Sequence, residues 1–445
     1  MTTSTSRGTD RVARDTMDHV LVSWATQAGL NPLVITGAQG SWLHAGERRI
    51  LDFSSGLVNV NLGHRHPAVV AAIKEQADRL CYAIPSYGVE SRATLARMIA
   101  EIAPGDLTKT LFTTGGSEAN EHALKIARLF TGRHKILSQW RSFHGQTQGA
   151  MSLGGDNRRW ANEPGITGVV HFLNPDPYRS IFGDDAQKAL AHVEEVIWYE
   201  GPEQIAAIML EPIVGTSGLI VPPDGFLQGL RALCDRYGML LIFDEVMTGF
   251  GRTGKWFAAE HWSVAPDLLT FAKGVNSGYV PLGGTVVSAR IAKHFDDHIL
   301  WAGLTNSGHP LACAAGVAAI TAYRDEQLIE RSRRMGEVLL AELRRIAERH
   351  PSVGDVRGKG LFVGIELVKD RGTKEMLEQW NGPSSALASA LKNALMEHDV
   401  ALFCRWNVLF VAPPLVVTDE ELEIGIGAID DVLAIADRFA ATGAL

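Results

Sequence analysis

Cysteine is scarce in this chain. Its four residues among 445, Cys81, Cys234, Cys313 and Cys404, lie far apart and show no metal-ligand spacing. They read as reduced, mostly buried thiols of a cytoplasmic protein, and no metal site is expected. Long basic runs are missing and the net charge is −8, so nothing electrostatic calls for nucleic acid. No apolar run approaches the ~18 residues of a membrane helix. The opening "MTTSTSRGTDRVARDTMDHV" has no apolar secretion segment, so neither membrane nor export is expected. Internal repeats are absent too. What remains is ordinary for a large-cored globular protein, with 46% hydrophobic and 21% charged residues.

Two kinds of segment alternate through the middle of the chain. Short apolar runs read as buried strands: "KTLFTT" near 110, "HKILSQ" near 135, "IAAIML" at 205–210, "MLLIF" at 239–243 and "LLTFA" at 268–272. Between several of them lie stretches with apolar residues at helical spacing, such as "SEANEHALKIARLF" and "PDGFLQGLRALCDRYG". Strands without polar alternation, separated by helices, predict an α/β fold with a mostly parallel sheet covered on both faces. The large domain is placed at 66–320. A long helical pattern over about 310–350 leads to a smaller α+β domain at 321–445, with helices near 384–398 and from about 418. Residues 1–65, including the hairpin-like "SWLHAGERRILDFSSG", are assigned to the small domain and to contacts with a partner chain.

Open parallel sheets collect ligands at the carboxyl ends of their strands. "LFTTGGSEANEHALKIAR" offers a Gly-Gly-Ser turn at a helix start, which suits an anion such as phosphate and equally suits plain helix capping. "LLIFDEVMTGFGRTG" delivers Asp244 and Glu245 from an apolar strand, where a buried carboxylate benefits from a cationic partner. "LLTFAKG" ends in Lys273, a lone ammonium that would ordinarily snorkel to water. Each feature has a structural explanation of its own. Phosphate cradle, buried acid and strand-end lysine in that order together suit pyridoxal phosphate: the lysine forms a Schiff base with the aldehyde and the acid keeps the ring nitrogen protonated.

The motifs "GGSEANEHALKIAR", "FHG", "LEPIVGTSG", "IFDEVMTGFGRTG", "FAKG" and "TNSGHPLACAA" make the chain resemble, over nearly its whole length, the class III (ω-type) aminotransferases of fold type I pyridoxal-phosphate enzymes. The resemblance implies that Lys273 is the cofactor-binding and catalytic lysine. It puts Gly116 and Ser117 in the phosphate cup and Phe143, in place of the usual tyrosine, against one ring face with His144 beside it. Asp244 becomes the partner of the ring nitrogen, Val246 packs on the opposite face, and Glu211 is a nearby acid. Thr305 is implied to reach the phosphate of a neighbouring subunit, so a homodimer with shared sites is expected, either alone or paired into a tetramer.

The resemblance also frames the substrate. Ornithine- and 4-aminobutyrate-type members carry a glutamate where this chain has Thr216, paired with an arginine near the position of Phe410; both halves of that gate are missing. Arg405 resembles the mobile carboxylate-binding arginine of the amine:pyruvate subgroup. Val58 stands where those enzymes often place tryptophan, and Tyr87 is assigned to the opposite wall. The implied activity is transfer of an amino group from an ω-amino acid or amine, taurine or β-alanine among them, to pyruvate or 2-oxoglutarate. Two rivals are an aminomutase or racemase on the same fold and a non-catalytic cofactor-binding regulator.

Overall fold

A computed structural model describes residues 3–382 and 386–445 of the chain. At its centre is a seven-stranded sheet in the order Leu107–Thr113, Gly283–Ser288, Leu268–Phe271, Leu240–Asp244, Ile205–Leu210, Lys135–Gln139, Val169–Phe172. Neighbours are parallel except around Gly283–Ser288, which runs antiparallel to both of its partners. Every residue of Ile205–Leu210 and Leu240–Asp244 is buried. Both faces of these central strands are therefore covered, which is why they read as unbroken apolar runs. Each fully buried Ile, Leu, Phe or Met there contributes about 1.5–3 kcal/mol.

All five apolar runs form strands, within a residue or two of the expected limits. Two further strands, Val169–Phe172 and the glycine-led Gly283–Ser288, have no clear apolar run of their own. The antiparallel strand has a simple cause. Residues 272–282 contain only the short turn Lys273–Val275, and a parallel return would require a crossover helix.

The long pattern over 310–350 is two helices, Pro310–Asp325 and Leu328–Arg349, broken where Gln327 takes a left-handed conformation at φ 52°. The first of them runs across residue 320. Beyond lie an antiparallel sheet built on Val353–Lys359, Phe362–Asp370, Val408–Val411 and Phe403–Arg405, the helix Ala386–Glu397 and the helix Asp419–Thr442, which Thr418 caps. The first residues expected in the helix near 384–398 lie outside the described residues. The hairpin of Trp42–Ala45 and Arg48–Asp52 pairs in parallel with Val400–Ala401, so the early chain is built onto the C-terminal layer.

One guanidinium ties these parts together. Arg252, fully buried, donates to Leu361 O at 2.9 Å, Pro413 O at 2.6 Å, Ser55 Oγ at 3.1 Å and Asn61 Oδ1 at 2.7 Å. Burial pushes its pKa down to about 10, with Tyr323 and Asp52 opposing, and its hydrogen bonds all go to uncharged oxygens. Arg252→Met keeps much of the volume and orphans four acceptors, each costing roughly 1–3 kcal/mol. We expect chemical denaturation to show a loss of at least about 3 kcal/mol; an unchanged midpoint would refute this role.

Candidate active site

The strands Leu240–Asp244 and Leu268–Phe271 lie side by side in parallel register, with Asp244 opposite Thr270. Asp244 and Lys273 therefore emerge at the same edge of the sheet. The Asp244 carboxylate is 4% exposed. Its Oδ2 accepts from Asn120 Nδ2 at 2.7 Å and faces His144 Nδ1 at 2.8 Å, while Oδ1 accepts from the Val246 amide at 3.0 Å. Asn120 is itself fixed, donating to His144 O and accepting from Thr270 Oγ1, both at 2.6 Å. Burial alone would lower the His144 pKa; the adjoining Asp244 outweighs it and raises the pKa above the ordinary value. Glu245 turns the other way. It accepts from Thr248 Oγ1 and from the amides of Ala258 and Ala259, both at 2.8 Å, and burial lifts its pKa to about 7. Of the two acids only Asp244 faces the cavity.

That cavity, of about 420 Å³, is walled by Thr114–Ser117, Asn120, Phe143–Gln146, Glu211, Asp244, Val246 and Lys273 among others. The helix Gly116–Thr131 starts at its wall with no side-chain cap, Gly115 being extended at φ −175°. Ser117 Oγ does not cap its own helix: it accepts from the amides of Gln146 and Thr147, both at 2.9 Å. The first-turn amides and the positive end of the helix dipole thus face open space. A Cβ on Gly116 would lie 2.9 Å from the Val246 methyls, and one on Gly145, at φ 138°, would lie 2.3 Å from Ser117 Oγ. The cradle tolerates only glycine at both places.

Lys273 sits at a strained backbone position for a lysine, φ 39°, which costs roughly 1–3 kcal/mol. Among the described residues its Nζ has no hydrogen bond or ion pair. Desolvation lowers its pKa, with Arg158 acting the same way and Asp244 and Glu211 opposing. Buried Glu211 accepts from the Phe143 amide at 3.0 Å and the Gly215 amide at 2.8 Å. Burial and the nearby Asp244 push its pKa up to about 7.

A second cavity, of about 730 Å³, opens next to the first, and Trp24, Phe143, Met247 and Lys273 line both. Its wall also contains Leu57, Arg158, Thr216, Phe403 and Arg405. Arg405 contacts Asp156 Oδ2 at 3.4 Å and Asn157 Oδ1 at 3.3 Å and lies 3.9 Å over the Trp406 ring.

Gly116, Ser117, Phe143, His144, Glu211, Asp244, Val246 and Lys273 are thus gathered around one cavity, and Arg405 lines the next. Val58 is different: it is buried at 2% exposure in the cluster holding Phe362 and Phe410. The backbone turns at Gly56, φ 64°, so Leu57 presents its side chain to the cavity. Phe410 is likewise buried, and Phe403 forms that wall. Tyr87, 64% exposed, and exposed Thr305 line neither cavity of this chain. Sequence reading missed Asn120, Arg158 and Trp24. Asn120 lies one turn beyond Gly116 and was open to a helical-spacing argument; the other two had no local signal.

The family model "Aminotransferase class-III" matches residues 24–433. The chain is a class III aminotransferase. It is 43% identical to the taurine:2-oxoglutarate aminotransferase of Bifidobacterium kashiwanohense, solved with pyridoxal phosphate and glutamate, at a TM-score of 0.94 over 97% of this chain and 98% of that one. It is 38% identical to the 5-aminovalerate aminotransferase of Pseudomonas aeruginosa, over 89% of this chain and 92% of the relative. The leucine/methionine racemase of Thermococcus litoralis is 36% identical, over 87% of each. The cofactor of this aminotransferase family is pyridoxal 5′-phosphate. The residues present fit it: a glycine-only cradle at an uncapped helix start, a buried carboxylate and a desolvated lysine face one space.

The electrostatics around Lys273 have a sign that can be measured. Asp244 raises its pKa, so Asp244→Asn should move the pH midpoint of Lys273 modification by an amine-directed reagent in the cofactor-free protein to lower pH. Arg158→Met removes a lowering charge and should move it to higher pH. Peptide mass spectrometry across a pH series reads both shifts, and the same direction for both variants would contradict the assignment.

Proposed function

We propose that this aminotransferase moves an amino group from an ω-amino acid or amine, such as taurine or β-alanine, to a 2-oxo acid such as pyruvate or 2-oxoglutarate. The observation carrying the reading is that Lys273 stands where the two cavities meet, one suited to the cofactor and one to the substrate. Bound in the first, pyridoxal phosphate supplies an aldehyde to take the amino group and a ring that draws electrons from the substrate carbon. The amides of Gly116 and Ser117 would hold its phosphate, Asp244 its ring nitrogen, and Phe143 and Val246 its two faces. His144 and Asn120 keep Asp244 oriented. Lys273, its pKa lowered by desolvation, moves the proton at the amine-bearing carbon through Nζ. Trp24 and Phe143 line that junction. The relatives' named substrates, taurine, 2-oxoglutarate and 5-aminovalerate, support the substrate class.

Adding single amines to the holoenzyme without a 2-oxo acid should bleach the cofactor's visible band, and pyruvate should restore it. A racemase reading, which the Thermococcus relative keeps open, requires no acceptor. Inversion of an amino acid without 2-oxo acid, and no bleaching by any amine, would favour it.

A homodimer with shared sites is part of the proposal. Thr305 and Tyr87 lie on one surface: Tyr82 Oη donates to Thr305 O at 3.1 Å, and Arg92 binds Tyr87 O at 2.9 Å and Gly308 O at 2.8 Å. Leu80, Ile84, Ile299 and Trp301 are exposed apolar side chains close by in the chain, which supports a covered face. If Thr305 serves the partner's site, neither Lys273→Ala nor an impaired Thr305→Arg chain works well alone. Mixed dimers should regain activity, because one site then pairs an intact Lys273 with an intact Thr305. No gain on mixing would place Thr305 outside the partner's site. The four free cysteines, Cys81 exposed among them, support the cytoplasm as location. No helix among the described residues is long and apolar enough to cross a membrane.

A further inference from the structure

One apolar side of the substrate cavity is presented by backbone held under strain. Leu57 and Phe403 line its wall, Phe403 from the edge strand Phe403–Arg405 and Leu57 from the turn that follows Arg48–Asp52. That turn has three residues in left-handed backbone: Ser55 at φ 47°, Gly56 at φ 64° and Val58 at φ 54°. Serine and the β-branched valine rarely adopt such angles. A run of this kind persists only where its surroundings over-determine it.

The side chains of Asp52, Ser54 and Ser55, all buried, supply that constraint. Asp52 Oδ1 accepts from the Gly56 amide and Oδ2 faces His64 Nε2, both at 2.8 Å. The carboxylate is thus anchored on one side and grips the residue before Leu57 on the other. Ser54 Oγ accepts from the Phe403 amide at 2.8 Å and donates to Phe410 O at 3.0 Å. Phe403 and Phe410 are cross-strand partners, so one hydroxyl stands between the two strands where Phe403 enters the wall. Ser55 Oγ donates to Ala412 O at 2.7 Å and accepts from Arg252 Nη2 at 3.1 Å, which ties the turn to the chain beyond the inner strand. Neither Asp52 nor Ser54 lines either cavity.

We propose that Asp52 and Ser54 are positioning residues that set the width of the substrate cavity, Asp52 by holding Leu57 through the Gly56 turn and Ser54 by holding Phe403 through its amide. The inference rests on the reading of that cavity as the substrate's, and it assigns what limits the size of the amine. Leu57 cannot withdraw while Asp52 holds Gly56, nor Phe403 while Ser54 holds its amide. A bulky amine therefore meets two fixed apolar side chains, and releasing either one makes room for it.

The test compares kcat/KM for 1-phenylethylamine and for propylamine on wild-type holoenzyme, Asp52→Ala, Asp52→Asn, Ser54→Ala and Gly56→Ala. Room for one more methylene corresponds to about 10-fold or more in such a ratio. Asp52→Ala and Ser54→Ala should raise the ratio, bulky over small, by about that factor. Asp52→Asn retains an oxygen for the Gly56 amide and should keep the ratio near its wild-type value. Gly56→Ala leaves both side chains in place and serves where removing either prevents folding. Its methyl meets no atom within 4 Å, but φ 64°, ψ −101° suits only glycine, so it should follow Asp52→Ala. In a Leu57→Ala background, Asp52→Ala should change the ratio no further.

Hydrogen exchange at single amides reads the same contacts apart from turnover. The Gly56 amide in Asp52→Ala and the Phe403 amide in Ser54→Ala should each exchange about 10-fold faster. Equal losses for both amines, with the ratio unchanged, would make Asp52 and Ser54 plain supports of the fold and overturn the inference. So would a full Asp52→Ala effect in the Leu57→Ala background, or exchange rates that do not move. If the wild-type enzyme instead inverts amino acids without an acceptor, the transfer reading fails. The same ratio, read as racemisation of leucine over alanine, then decides for or against the two residues.

Discussion

Everything at this site depends on holding the Asp244 carboxylate in place away from water. A buried anion is tolerated when its lone pairs are filled and a cation stands near. Asn120, His144 and the Val246 amide fill them, and each comes from a different element: the helix after the first strand, the loop after the second, and the turn after Asp244 itself. Thr270 then locks Asn120 from the neighbouring strand. Sheet register and active-site electrostatics are in this sense one property. A slip of one residue in Leu240–Asp244 would turn the acid to the other face and leave its partners orphaned.

The same economy of charge runs outward through the molecule. Glu211 and Glu245 are both buried carboxyls raised to about 7, one against the cavity and one in the turn supporting it. Arg252 hydrogen-bonds only uncharged oxygens among the described residues and joins three stretches of chain. Arg158 and Arg405 divide Asp156 between them. Low dielectric makes each unmet charge expensive, so the groups left short of partners, Lys273 and the two arginines, are the ones that face open space. Unfilled electrostatic capacity marks where substrate and cofactor belong.

The substrate cavity is also where distant parts of the chain converge. Trp24 and Leu57 come from the early chain, Phe143 and Arg158 from the large sheet's loops, and Phe403 and Arg405 from the C-terminal sheet. The pairing of Arg48–Asp52 with Val400–Ala401 and the Arg252 network hold the first and last of these in place. Substrate choice therefore depends on how the C-terminal layer docks as much as on the residues lining the wall.

Five of the seven strands of the large sheet, and the cofactor constellation at their ends, were legible in the linear sequence. Buried parallel strands are contiguous apolar runs, and a ligand at their carboxyl ends draws on residues fixed to those runs, so Gly116, Asp244 and Lys273 were legible from local pattern, and the family motifs added Phe143, Val246 and Glu211. The substrate wall was set by packing between layers. Leu57 instead of Val58 faces the cavity because one left-handed turn at Gly56 redirects the chain, and no periodicity reports that. Phe403 instead of Phe410 forms the wall because, of these two cross-strand partners, Phe403 sits on the edge strand and Phe410 on the inner one, where it is fully covered. Arg158 became visible only once Asp156, Phe143, Thr216 and Arg405, far apart along the chain, were brought within a few ångströms of it. Contacts of that kind are fixed by packing between layers, which a linear pattern does not encode.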